Sequence, residues 1–167
     1  MNFRIEIVYS KKDKLSDKIL QFILELNQKN IPALGPLNNL QHVLDIYNHS
    51  LFSAHVIVQD KYAGFVFVMD HKSEYQSLNY KYFKNNFKNF LYIDRVAFEE
   101  NFQRKGYGTE LYNKIYKIAN NLGSPLCCEV NTIPFNKQSL DFHDKFGFET
   151  LQKVAFGNKQ VAMLCKY

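Results

Sequence analysis

The chain has 167 residues, 46 % apolar and 22 % charged. These proportions exclude overall disorder, and the length fits one domain, residues 1–167, that buries roughly two-thirds of its unfolded surface. Seven glycines and four prolines argue against repeat or collagen-like architectures. The net charge of +5 reads as a solubility device, because only Arg4, Arg95 and Arg104 are arginine and the run Lys81, Lys84, Lys88 is too sparse for a nucleic-acid groove.

In chain order, residues 4–9 read as a strand. Leu15, Ile19, Phe22, Ile23 and Leu26 then fall at helical spacing, predicting a helix over 14–29. Two prolines and a glycine in 31–37 break it, and a short helix follows over 38–49. Residues 52–58 and 62–69 form a hairpin whose second arm is apolar enough for burial on both faces. Residues 70–89 are polar with interspersed aromatics and no clean period, which predicts a long loop of the kind that covers binding sites. A strand over 90–98, a loop over 99–105 and a helix over 107–122 follow. Then come a strand over 126–131, a helix over 136–146, and a closing pair, 148–156 and 161–166. This order mixes hairpins with one strand–helix–strand crossover, which gives an α/β (α+β-like) domain with a mixed, mostly antiparallel sheet flanked by helices.

Cys127, Cys128 and Cys165 make an odd set with two adjacent members, unlike a disulfide framework. The five histidines show no metal-ligand spacing, so no metal is expected. Lys11, Lys12, Asp13 and Lys14 interrupt any leader-type apolar stretch, and the apolar run 62–69 is far too short for a bilayer. The expectation is a reduced, cytoplasmic protein that engages neither membrane nor nucleic acid.

The sharpest local signal is Gln103-Arg104-Lys105-Gly106-Tyr107-Gly108, after a strand and opening a helix. It is neither a Walker loop nor a dinucleotide fingerprint. Glycines at a helix start are often only a tight turn. They also let backbone N–H groups approach a diphosphate, with the helix N-terminus and two cationic side chains adding positive charge.

In this setting the chain resembles the GNAT superfamily of N-acetyltransferases. The resemblance rests on residues 103–108, on the preceding Val96-Ala97-Phe98, and on Asn136 followed by Phe142-His143-Asp144-Lys145-Phe146-Gly147-Phe148. More narrowly, Tyr92-Ile93-Asp94-Arg95-Val96, Cys128-Glu129-Val130-Asn131 and Ser139-Leu140-Asp141-Phe142-His143 are similar to a bacterial branch of predicted acetyltransferases. The resemblance implies a GNAT fold, acetyl-coenzyme A as co-substrate, a primary amine as acceptor, and a monomer or homodimer. It implies a pantetheine arm lying along Val96, Ala97 and Phe98. Phosphates would rest on the loop of Gln103, Arg104, Lys105, Gly106, Tyr107, Gly108 and Thr109, with Asn136 and Ser139 on the cofactor side. Glu129 is the candidate general base, with Asp94 and Tyr92 as rivals. His143 stands where relatives carry a tyrosine and is the candidate acid. The acceptor is expected between 31–37 and 70–89, beside Tyr75, Tyr80, Tyr82 and Asp94. A non-catalytic sensor or protein-binding module on the same fold is the alternative.

Overall fold

The structure, a computed structural model, describes residues 2–167. Among the described residues a seven-stranded sheet has the order β1-β2-β3-β4-β5-β7-β6. The strands are β1 (Phe3–Tyr9), β2 (Phe52–Val58), β3 (Lys61–Asp70), β4 (Leu91–Phe98), β5 (Leu126–Ile133), β6 (Glu149–Phe156) and β7 (Lys159–Lys166). The α-helices are α1 (Asp17–Lys29), α2 (Leu40–His49), α3 (Leu78–Asn86), α4 (Tyr107–Asn121) and α5 (Lys137–Phe146). The β4–β5 pair is parallel, and the other neighbouring strands run antiparallel.

Local chemistry explains most boundaries. Ser16, Asn39, Ser77 and Asn136 each accept a backbone N–H at the start of α1, α2, α3 and α5, which satisfies donors that the first helical turn leaves open. Gly147, at φ 96, ends α5 in the left-handed conformation. The strands β2 and β3 are buried along nearly their whole length, as their apolar character requires. One core layer packs α1, α2 and α3 on the sheet through Ile23, Val43, Phe67, Tyr80, Phe83 and Tyr92. The other packs α4 and α5 through Val66, Ile93, Leu111, Tyr112, Ile115 and Cys128.

The segment 70–89 departs from expectation. Instead of an open loop it contains α3, whose Tyr80 and Phe83 are fully buried. The crowd of aromatics there is mostly core packing, with the rings of Tyr80, Phe83, Phe90 and Tyr92 packed tilted or edge-on, with centres within 6.2 Å in successive pairs.

Two irregularities shape the centre of the sheet. Phe67 pairs with Arg95 and Val68 with Ile93, so Asp94 is an extra residue in β4, a bulge. The bulge resets the alternation, and Tyr92 and Arg95 both reach the α1 side. In addition, β4 and β5 pair only at Leu91–Leu126 and Tyr92–Cys127. Beyond those pairs the strands part into a fork.

Candidate active site

The fork opens into a cleft of about 870 Å³, walled by 93–98 of β4 and 128–131 of β5. One end is formed by Gln103, Arg104, Gly106, Gly108 and Thr109, and one side by Asn136, Ser139 and His143 of α5. Ten of the expected cofactor residues, Val96, Ala97, Phe98, Gln103, Arg104, Gly106, Gly108, Thr109, Asn136 and Ser139, thus line one cavity. Lys105 and Tyr107 do not line it. The Lys105 ammonium lies 6.0 Å from the Phe102 ring centre, and the Tyr107 ring packs 5.2 Å from Phe3.

At the basic end the backbone is unusual. Arg104 has φ 57 and Gly106 has φ 86, left-handed residues of the kind from which anion-binding loops are built. Gly106 precedes α4 and offers no side-chain cap, unlike the residues before the other α-helices. That end therefore combines the positive helix terminus and the Arg104 guanidinium, and it suits a diphosphate. Gln103 Nε2 donates to the Phe98 carbonyl at 2.9 Å, which braces the end of β4 against this loop.

On the α1 side of the fork stands Glu129. Its carboxylate accepts from Tyr92 Oη at 2.7 Å and from Asn79 Nδ2 at 3.0 Å. Burial and the Asp94 charge nearby push its pKa up to about 8, against the opposing pull of the Tyr92 and Asn79 hydrogen bonds and of Arg95. A carboxyl titrating there can hold a proton at neutral pH and release or take one near it. Tyr92 is fully buried, and burial with the neighbouring Glu129 charge raises its pKa, so it remains a phenol that orients Glu129 rather than a rival base. The Asp94 side chain, 5 % exposed, bonds Arg95 at 2.8 Å, an ion pair that the adjacent sequence positions allowed. Asn79 was not foreseen. It sits on α3, whose helical nature the sequence pattern concealed.

On the opposite side His143 is 4 % exposed. Its Nδ1 lies 2.7 Å from the Ser139 carbonyl, an obligate acceptor, and its Nε2 lies 3.0 Å from Tyr112 Oη. Nδ1 therefore carries the proton, and Nε2 accepts from the tyrosine. Burial lowers the His143 pKa, opposed by the Ser139 carbonyl. The imidazole thus presents a lone pair, not a proton, on its Tyr112 side. Burial, with smaller effects from Cys128 and Glu129, keeps Tyr112 a phenol. Tyr112 also lines the cleft, and the sequence pattern did not single it out.

The aromatic mouth expected of 70–89 is not formed as anticipated. Tyr80 is fully buried and its hydroxyl bonds the Asp70 and Ser73 carbonyls at 2.7 and 3.0 Å. Tyr82 packs against Phe83 at 5.2 Å. Tyr75 is half-buried and interacts with Asp94 and Arg95. Among the described residues no cluster of three His, Cys, Asp or Glu could hold a metal ion. The three cysteines are free and buried. No described helix is long and apolar enough to cross a membrane.

Solved structures with this fold include Arabidopsis thaliana NAA60 in complex with acetyl-CoA, at 10 % identity and TM-score 0.74, covering 99 % of both chains. The ribosomal-protein-S18-alanine N-acetyltransferase of Escherichia coli matches at 14 % identity and TM-score 0.67, over 97 % of this chain and 92 % of that one. An N-acetyltransferase of Staphylococcus aureus Mu50 matches at 16 % and 0.70, over 99 % and 98 %. No curated protein matches the sequence significantly. The sequence profile of the acetyltransferase (GNAT) family matches residues 20–148, which is most of the chain and includes the fork, the glycine loop and Glu129. The chain belongs to the acetyltransferase (GNAT) family, and it is an acyltransferase.

Proposed function

We propose that this acyltransferase moves an acetyl group from acetyl-coenzyme A directly to a primary amine of a small molecule or peptide, as one domain spanning residues 1–167. The observation that carries the reading is the fork, which leads from the left-handed loop at Arg104–Gly106 to Glu129 between two parallel strands that pair only at their near ends. Acetyl-coenzyme A supplies the activated thioester. Arg104, Gly106, Gly108 and Thr109 seat its diphosphate, and the edge of β4 at Val96 and Ala97 directs the arm along the fork. Asn136 caps α5 through Oδ1 and shapes the wall where the arm lies. The ionised Glu129 carboxylate accepts the proton of the incoming amine, directly or through one water. On the other face, the Tyr112 hydroxyl donates to His143 Nε2 at rest; it turns from Nε2 to give that proton to the leaving coenzyme A thiolate and regains one from solvent. Tyr112 thus takes the donor role that sequence reading gave to His143.

A thiol-release assay against spermidine, free amino acids, short peptides with free N-termini and aminoglycosides tests the proposal. Release is expected with at least one class, and Glu129→Gln should lower its kcat by about 10²–10⁴. Coenzyme A binding with no thiol released by any amine would establish the sensor alternative instead. Calorimetry showing no heat with millimolar acetyl-coenzyme A would remove the cofactor assignment itself.

A further inference from the structure

The segment between α1 and α2, residues 30–39, has no regular structure, yet it is tied to both arms of the fork. From β4, Arg95 Nη1 donates to the Gly35 carbonyl at 3.3 Å and to Asn27 Oδ1 of α1 at 2.9 Å. From β5, Asn131 Nδ2 donates to the Pro32 carbonyl at 3.4 Å. Asn27 is fully buried, and its Nδ2 donates to the same Gly35 carbonyl at 3.0 Å and to Gln28 Oε1 at 3.1 Å. Gln28 Oε1 in turn accepts the Leu37 amide at 2.9 Å. Leu37, 2 % exposed, plugs the far end into the core. The segment is therefore a strap lying across the fork, with Asn30, Ala33 and Leu34 facing the cleft.

Arg95 is the hub of this arrangement. Its guanidinium is 11 % exposed and is held at Nε by Asp94, the bulged residue. The bulge delivers Arg95 to the α1 side, where a regular strand would have turned it to the other face. A lysine could keep one contact to Asp94, but it lacks the planar fork whose Nε holds Asp94 while Nη1 reaches Asn27 and Gly35.

We propose that Arg95 is a positioning residue that sets acceptor affinity by fixing the 30–39 strap across the β4–β5 fork. The inference rests on the acetyl-transfer reading, because it concerns the amine side of that same cleft. The acceptor would pass the strap to reach Glu129, so a loosened strap weakens acceptor binding without disturbing the diphosphate loop, which is built from 103–109.

The test compares Arg95→Lys and Gln28→Ala with the native chain. Gln28 is exposed and outside the cleft, so its variant loosens the Leu37 amide without touching the site. Hydrogen exchange should speed up about tenfold at the Leu34 amide in Arg95→Lys, whereas Gln28→Ala, which removes the direct acceptor of the Leu37 amide, should speed Leu37 and leave Leu34 near its native rate. With whichever amine of the thiol-release panel (spermidine, a free amino acid, a free-N-terminus peptide or an aminoglycoside) turns over fastest, KM for the amine should rise about tenfold in Arg95→Lys, while kcat and acetyl-coenzyme A affinity stay within about twofold. A faster exchange with unchanged acceptor KM would overturn the proposal, as would a raised KM with unchanged exchange, which would make Arg95 a direct contact. If no amine of the four-class panel releases thiol in the native chain, the transfer reading fails. The exchange measurement then still decides whether Arg95 holds the strap.

Discussion

Glu129 shows how a single carboxyl can serve chemistry at the expense of stability. Its folded pKa of about 8 lies above the usual carboxylate value. The proton it retains in the folded state contributes stability that is complete at low pH and is lost as pH rises through 8. In the native enzyme kcat should therefore rise toward pH 8 as the base ionises, whereas Tm should fall over the same range. Glu129→Gln should abolish the kcat limb, and at pH 9 it should melt on the order of 10 °C above the native chain, with the two converging near pH 5. Thermal melts at both pH values check this. The pair across the fork makes a sharper test. Glutamine at 143 can donate to the Ser139 carbonyl and accept from Tyr112, as the imidazole does. His143→Gln should thus keep most of kcat, while Tyr112→Phe should lose about tenfold or more. The reverse ranking would restore His143 as the proton source. Glu129 and His143 were legible from the sequence because each sits in a motif. Asn79 and Tyr112 were not, since they reach the site only through tertiary packing from α3 and α4.

At the level of elements, the glycine loop was legible because its conformational demands are local, whereas α3 was not. Adjacent aromatics at Tyr82 and Phe83 blur a helical period that in the folded chain buries only Tyr80 and Phe83. The Ser77 cap, 3.5 Å from the Tyr80 amide, was the one local signal for it. The β4 bulge was equally hidden, because an extra residue in a ladder depends on the partner strand. The loop itself makes a clean prediction. A Cβ on Gly106 would meet nothing within 4 Å, so a substitution there is strained only through φ +86. Asparagine tolerates that region and valine does not. Gly106→Val should weaken acetyl-coenzyme A binding about tenfold by calorimetry, while Gly106→Asn should stay near the native affinity. Equal losses in both would mean that the loop acts through its flexibility rather than through the direction of its amides.

For the whole molecule, one sheet carries two layers of helices, and the strand order was only partly foreseeable. Hairpins such as β2–β3 announce themselves, but the insertion of β7 between β5 and β6 is a long-range choice that local patterns do not encode. The same sheet buries titratable groups of opposite pH preference. His55, in the middle of β2, is fully buried, and its Nδ1 has no hydrogen-bond partner. Its Nε2 lies 2.9 Å from Ser53 Oγ. Burial lowers its pKa to about 4, with only a weak opposing effect from Glu6. The unfolded chain would bind a proton at His55 near pH 6.5, before the folded one does. Stability from the neutral ring is therefore present above about pH 6.5 and lost as pH falls toward 4, the opposite limb to that of Glu129. His55→Gln, which has no such titration, should narrow the Tm difference between pH 7 and pH 4.5 while leaving the decline between pH 7 and pH 9 in place. Glu129→Gln should remove the alkaline decline and leave the acid one. Both limbs persisting in the double variant would mean that surface charge, not these two buried groups, governs how the fold responds to pH.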